Sequence, residues 1–221
     1  MDEMINGFTA AAFKNKKSNY QYTRDKEAAD EAKKEPFKEE ILDRIDRRDR
    51  RWSWVEVDRS AIQHNVMATR RLLPNATRLL AVVKADAYGH GAVDVAKTAV
   101  TSGATYLGVA TVDEGIQLRK ADLREPILLL SEPPIEAIPL LLYYHIMPSI
   151  YTPDFAVAYG EIADQHGMKA PYHLVVNSGM NRIGVLAEDV VEFMQQISFH
   201  RGLELEGCFT HFATADALET L

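Results

Sequence analysis

The chain has 221 residues and a net charge of −7, with 47% hydrophobic and 26% charged residues. This length allows one large domain or two small ones, and the negative charge argues against nucleic acid as a main partner. One cysteine excludes an internal disulfide, and no apolar run approaches the roughly 20 residues that cross a bilayer. The N-terminus has no basic region before an apolar one, so a secretory signal is not expected. These features predict a soluble, cytoplasmic protein without a membrane partner.

Residues 1–51 differ in composition from the rest and are predicted to form an N-terminal extension. They are dense in alternating charges and poor in valine, isoleucine and leucine, so they cannot bury much apolar area. We expect disorder over 1–23 and a helix over 37–51, where acid-before-base pairs recur at the i,i+4 spacing. A solvated lead-in without function is the simpler interpretation, and a docking helix for a partner is the alternative. The second predicted domain is 52–221.

From residue 52 onward the pattern predicts strands that alternate with helices. The first strand is expected at 54–57, where polar and apolar residues alternate, and Asp58 then stands where a helix cap belongs. The remaining predicted strands are 79–84, 106–110, 126–130, 147–151, 172–176 and 205–212, and the predicted helices are 60–73, 92–101, 113–120, 135–143, 154–165 and 188–197.

Strands rich in valine, isoleucine and leucine in alternation with helices predict a parallel sheet covered by helices. The pattern suits a barrel or a doubly wound open sheet, but no Gly-x-Gly-x-x-Gly follows a strand, so the dinucleotide-binding version has no support. We expect an α/β fold, a TIM-type (β/α)8 barrel. Counting from residue 79 gives six of the eight strands, so the barrel is expected to be incomplete.

The predicted strand 79–84 ends on Lys84, and polar and glycine residues including Tyr88 follow at once. Burying an unpaired ammonium is costly, so a lysine at the end of a core strand needs a partner, a path to solvent or a chemical role. Such a lysine can act as an amine nucleophile and form a Schiff base. The alternative is that Lys84 only marks the point where the strand reaches water.

Two further candidates follow later strands. Arg182 lies between two glycines in the loop after strand 172–176, which suits a backbone that approaches a ligand and a planar cation that meets an anion. An ordinary turn with an exposed arginine is the alternative. His211 lies at the end of the last strand. Because barrel active sites form at the carboxyl ends of strands, these residues are expected to converge with Lys84 on one mouth.

Lysine, arginine, histidine and tyrosine without a cluster of acids and histidines argue against a metal site. They fit an anionic ligand with a carbonyl group that an amine can attack. Pyridoxal phosphate is such a ligand, and an aldolase-like Schiff base with a sugar phosphate fits the same residues.

The segment 81–91, Ala-Val-Val-Lys-Ala-Asp-Ala-Tyr-Gly-His-Gly, resembles the pyridoxal phosphate attachment motif of bacterial alanine racemases nearly residue for residue. Segments 178–184 and 210–216 resemble the second and third signatures of that family, and 54–58 is similar to its opening strand. The resemblance covers about 52–221, with the motifs in the expected order.

The resemblance implies a fold-type III enzyme, in which a barrel carries the cofactor and a mostly β C-terminal domain follows. Lys84 would hold pyridoxal phosphate through a Schiff base and exchange the α-proton on one face of the substrate. Tyr88 would bind the cofactor phosphate, and His211 would lie against the pyridine ring. Arg182 would contact the phenolic oxygen of the cofactor and the region of the substrate.

The implied function is alanine racemase, an isomerase that interconverts L-alanine and D-alanine by two-base proton exchange and supplies D-alanine for peptidoglycan. The family acts as a homodimer, and its second base is a tyrosine of the C-terminal domain. That domain is absent from this sequence, so we expect the N-terminal part alone, with little or no racemase activity. The alternatives are a non-catalytic pyridoxal phosphate homeostasis barrel, a truncated product whose charged N-terminus makes contacts, and a racemase of serine or a basic amino acid.

Val175 departs from the family pattern. The family commonly has a lysine, carbamylated in many members, four residues before the glycine that matches Gly179. A valine cannot supply the negative charge that a carbamylated lysine carries, so we expect the orientation of Arg182 to depend on another anion or on a bound ion.

Overall fold

The computed structural model describes residues 52–217. Residues 52–56 belong to an N-terminal unit, and residues from Val57 onward belong to one α/β unit. The predictions of disorder and of a helix within 1–51 lie outside the described residues, and the division into 1–51 and 52–221 stays a prediction. No helix among residues 52–217 is long and apolar enough to cross a membrane.

Strands and helices alternate along the described chain, as predicted, except that the two-residue strand 185–186 follows strand 170–177 without a helix between them. The strands are β1 (Leu80–Val82), β2 (Tyr106–Val109), β3 (Ile127–Leu129), β4 (Ile146–Ile150), β5 (Ala170–Asn177), β6 (Val185–Leu186) and β7 (Leu203–Phe209). The α-helices are α1 (Arg59–Leu72), α2 (Ala92–Thr101), α3 (Val112–Lys120), α4 (Ile138–Tyr144), α5 (Pro153–His166) and α6 (Val190–Ile197). Two 3₁₀ turns, Ile135–Ala137 and Ala187–Asp189, precede α4 and α6, and a left-handed turn, Lys84–Gly89, follows β1.

The strands form one parallel sheet in the order β1-β2-β3-β4-β5, with both β6 and β7 paired to β5. The Tyr106 hydroxyl of β2 donates to Glu206 Oε1 of β7 at 3.3 Å, although β3, β4 and β5 separate β2 from β7 in the sheet. This contact shows that the sheet curves strongly. The fold is therefore a partial barrel of parallel strands, and the predicted fold class is confirmed.

The core lies between the outer face of the sheet and the helices. Leu107 on β2, Leu129 on β3 and Val83, directly after β1, are almost wholly buried and share one cluster with helical residues such as Leu118 and Leu141. Each large apolar side chain that is buried in this way stabilises the fold by about 1.5–3 kcal/mol. This packed core fixes the positions of the strands, and the carboxyl ends of the strands therefore lie at a common rim.

The predicted strand at 54–57 is wrong. Residues 53–58 are irregular, and the side chains of Trp54 and Val55 are exposed. Alternation of polar and apolar residues indicates a surface that could be half-buried, but a strand forms only where a neighbouring strand accepts and donates backbone hydrogen bonds. Conversely, β6 was not predicted, because two residues are too few to show a periodic pattern.

A layer of polar side chains joins β2 and β7 across the curved sheet. Arg78 Nη1 donates to the Tyr106 hydroxyl at 2.8 Å, and this hydroxyl donates to Glu206. His173 on β5 is half-buried beside this layer, and burial lowers the pKa of its imidazole while the charge of Glu206 raises it in part. A histidine whose folded-state pKa is lowered stabilises the fold above its unfolded pKa, and this contribution is lost as the pH falls.

We therefore expect the free energy of unfolding to fall between about pH 7 and pH 5, partly through protonation of His173. His173→Gln should flatten this pH dependence, and Glu206→Gln should steepen it because the charge that favours protonation is removed. Urea unfolding at several pH values measures both effects. Equal slopes for the wild-type chain and His173→Gln would show that His173 does not contribute.

Candidate active site

A cavity of about 280 Å³ lies at the carboxyl ends of the strands, inside the curve of the sheet. Its polar lining includes all four residues selected from the sequence: Lys84, Tyr88, Arg182 and His211. Its apolar walls include Val82, Leu130, Val175, Met180 and Phe209. The structure thus brings the four sequence-predicted residues together around one space, although they come from three separate segments of the chain.

Lys84 enters the cavity from a turn of unusual conformation. Val83 is almost wholly buried and Lys84 is half-buried, so the lysine lies where the chain leaves the core. The next four residues, 85–88, have φ values of 50–55°, which makes them one turn of left-handed helix. Left-handed backbone costs L-residues about 1–2 kcal/mol each, so this turn costs roughly 4–8 kcal/mol and needs strong external contacts.

Hydrogen bonds at both ends supply those contacts. The Ala85 amide donates to Glu114 Oε1 at 2.7 Å, which fixes the start of the turn. At the other end, Asp86 Oδ1 accepts from the Ala92 amide at 2.7 Å and its carbonyl accepts from the Gly91 amide at 2.9 Å. Asp86 thereby ties the turn to the first residue of α2. The sequence pattern alone gives neither Asp86 nor Glu114 a role at this site.

The loop after β5 presents Arg182 through a turn built on Asn177. Asn177 Oδ1 accepts from the amides of Gly179 at 3.0 Å and Asn181 at 3.1 Å, and its Nδ2 donates to Asn181 Oδ1 at 3.0 Å. Gly184, with a φ of +113°, then returns the chain so that β6 pairs with the end of β5. Asparagine followed by serine and glycine is the sequence signal for such a turn, but it does not reveal which carbonyl or amide the side chain contacts.

The Arg182 side chain is exposed at the cavity, and within residues 52–217 its guanidinium makes no hydrogen bond or ion pair. Val175 is buried on β5 and lines the same cavity as an apolar wall. The expectation that Arg182 depends on another anion or a bound ion is consistent with a free guanidinium but stays a prediction.

His211 reaches the cavity from the segment after β7. The predicted strand 205–212 ends earlier than expected, since β7 stops at Phe209. A hydrogen bond of 2.6 Å between the hydroxyls of Ser178 and Thr210 joins the loop after β5 to this segment. It holds Thr210 and therefore His211 on the side of the cavity where the Arg182 loop lies.

The cavity combines a primary amine, a guanidinium, an imidazole and a phenol with apolar walls. Among the described residues, no group of three or more histidine, cysteine, aspartate or glutamate side chains could hold a metal ion. Cationic and hydrogen-bonding groups suit an anionic ligand, and the amine suits an electrophilic carbon. The fold and site define an α/β-barrel protein with a lysine-centred site for an anionic ligand.

The family model described as "Alanine racemase, N-terminal domain" matches residues 57–221. The chain therefore belongs to the alanine racemase family.

Curated relatives agree with this assignment. The chain is 41% identical over 168 residues to an alanine racemase of Nostoc sp., which covers 75% of this chain and 44% of the relative. It is 40% identical over 166 residues to an alanine racemase of Desulfovibrio desulfuricans, with coverage of 75% and 45%. The chain thus spans less than half the length of these relatives.

Solved structures share the fold. An alanine racemase from Bacillus anthracis with bound L-Ala-P superposes with a TM-score of 0.71 at 38% identity, covering 76% of this chain and 43% of that chain. A histidine racemase from Leuconostoc mesenteroides superposes with a TM-score of 0.68 at 32% identity, covering 73% and 43%. The same barrel portion therefore occurs in racemases of different amino acids.

Proposed function

We propose that this chain provides the lysine-bearing barrel of a pyridoxal phosphate-dependent alanine racemase. The observation that carries the proposal is the convergence of Lys84, Tyr88, Arg182 and His211 on one cavity, in a chain about 40% identical to alanine racemases. The D-alanine made by such a racemase would supply peptidoglycan synthesis in the cytoplasm. The family resemblance implies that the racemase acts as a homodimer.

The lining of the cavity fits pyridoxal phosphate. Its apolar walls, Val175 and Phe209 among them, suit the faces of an aromatic ring, and its cationic groups suit a phosphate and a ring oxygen. When bound, the cofactor supplies an electron sink that stabilises the negative charge left at the α-carbon of an amino acid.

The residues of this chain would divide the remaining work. Lys84 Nζ would hold the cofactor covalently and, when released, would take up and return the α-proton on its own face of the substrate. The Tyr88 hydroxyl would donate to the phosphate, and His211 would contact the ring. Arg182 would donate to the ring oxygen and orient the substrate. Inversion of the α-carbon requires a second base on the opposite face.

The function is tested by following the α-proton of alanine in D₂O by NMR, with the chain and added pyridoxal phosphate. We expect deuterium to enter the α-position in a cofactor-dependent way, with exchange faster than inversion as measured by chiral chromatography. Absence of both cofactor binding and exchange would contradict the proposal. Cofactor binding without exchange for any amino acid would instead favour a non-catalytic pyridoxal phosphate-binding barrel.

A racemase of another amino acid is the second candidate, and the similarity to a histidine racemase favours including it. The same exchange experiment with serine, histidine and lysine distinguishes the two. Faster exchange with one of these than with alanine would assign the chain to that substrate.

A further inference from the structure

We propose that Glu114 is a positioning residue that holds Lys84 in its orientation toward the cofactor, by fixing the left-handed turn that follows Lys84. This inference rests on the proposed function, because the orientation of Lys84 matters only where its amine reacts. Glu114 itself lies outside the cavity lining and would not touch the cofactor or the substrate.

One carboxylate joins two neighbouring segments at the rim of the sheet. Glu114 Oε1 accepts from the Ala85 amide at 2.7 Å, and Oε2 accepts from the amides of Ala110 at 2.7 Å and Thr111 at 3.2 Å. Ala85 directly follows Lys84, whereas Ala110 and Thr111 directly follow β2. The carboxylate therefore connects the start of the Lys84 turn to the end of the adjacent strand.

The backbone of Glu114 is itself fixed. Glu114 occupies the third position of α3, and its amide donates to Thr111 Oγ1 at 3.3 Å, so that Thr111 and Glu114 form a reciprocal capping box. The next residue, Gly115, packs against Ile146, since an added Cβ would lie 2.6 Å from Ile146 Cδ1. A capping box requires only one carboxylate oxygen, so the bond from Oε1 to Ala85 is an additional contact.

This additional contact acts on the backbone that directs Lys84. Ala85 is the first residue of the left-handed run, and left-handed backbone is unfavourable for alanine and tyrosine and only occasionally adopted by aspartate. Without an acceptor at Glu114, the first peptide of the run is free to return to right-handed or extended conformations. The Lys84 side chain would then sample orientations away from Arg182 and His211.

Glu132 offers a matched control. It follows β3, and its Oε1 accepts from the Thr152 amide at 2.6 Å while its Oε2 accepts from Thr152 Oγ1 at 2.8 Å. Glu132 thus joins two segments of the same rim as Glu114 does, but without contact to the Lys84 turn. A change at Glu132 reports the general cost of losing such a carboxylate.

The test uses the full chain with Glu114→Ala, Glu114→Gln and Glu132→Ala. Each protein is incubated with pyridoxal phosphate and reduced with borohydride, and the labelled lysine is identified and quantified by mass spectrometry. Amide hydrogen exchange of the peptide that covers 84–91 is measured in parallel without cofactor. Both readouts are independent of turnover.

We expect Glu114→Ala to label Lys84 about tenfold more slowly and to exchange the amides of 85–91 about tenfold faster, as loss of a charge-assisted hydrogen bond predicts. Glu114→Gln retains one carbonyl acceptor and should recover part of both values. Glu132→Ala should leave both unchanged, even where it lowers thermal stability.

Equal labelling and equal exchange in wild-type and Glu114→Ala proteins would overturn the inference while the proposed function stands. If Glu114→Ala does not fold, wild-type rates of Lys84 labelling and of amide exchange in Glu114→Gln would overturn the inference in the same way. Absence of labelling at Lys84 in the wild-type chain would overturn the proposed function and, with it, the role of Glu114 toward the cofactor.

Discussion

Replacing Lys84 with alanine is expected to abolish covalent attachment of pyridoxal phosphate and to lower cofactor-dependent α-proton exchange at least about a thousandfold. The amine is both the attachment point and the base on its face of the substrate, and neither Arg182 nor His211 can form the same bond. Reduction with borohydride followed by peptide mapping measures attachment, and NMR in D₂O measures exchange.

Two variants give this experiment its controls. Lys84→Arg keeps a positive charge at the start of the turn after β1 but removes the nucleophilic amine, so it should fail as completely as Lys84→Ala. Lys97→Ala changes an exposed lysine of α2 and should behave as the wild-type chain. Attachment at the wild-type rate in Lys84→Ala would show that another lysine carries the cofactor.

The convergence of the four candidate residues could be predicted from the sequence because it depends on topology. Apolar runs that end abruptly on Lys84 and before Asn177 indicate buried parallel strands, and parallel strands end at one rim. The structure shows that rim and places the predicted residues around one cavity. Their individual roles toward a cofactor stay predictions.

The conformation of the rim could not be predicted in the same way. Only Asp86 among residues 85–88 is of a type that tolerates left-handed backbone, and one such residue does not predict a run of four. Glu114, which fixes the run, lies 29 residues away from Ala85. In the sequence, Glu114 is recognisable only as an acidic residue in the first turn of a predicted helix. Acidic residues are common there because they interact favourably with the helix dipole. A long-range hydrogen bond leaves no periodic pattern, and so it appears only once the two segments are seen side by side.

Gly184→Ala is expected to lower the free energy of unfolding by about 3 kcal/mol or more. Its φ of +113° already disfavours any L-residue, and an added Cβ would lie 2.8 Å from the Asn177 backbone nitrogen and 3.1 Å from the Val176 carbonyl carbon. Backbone atoms of a central strand cannot move aside as a flexible side chain can. Urea unfolding measures the change in stability from the shift of the midpoint.

Gly179→Ala, in the same loop, separates the two causes. Gly179 has a comparable φ of +122°, but a Cβ there would meet nothing within 4 Å, so this variant carries the conformational strain without the collision. Equal losses of stability in the two variants would show that the close approach at Gly184 contributes nothing. A larger loss in Gly184→Ala would show that the contact between β6 and β5 is tight. The Cβ of Gly184→Ala would displace Asn177, which forms the turn before Arg182. Gly184→Ala should therefore also slow the labelling of Lys84 by pyridoxal phosphate, and Gly179→Ala should slow this labelling less.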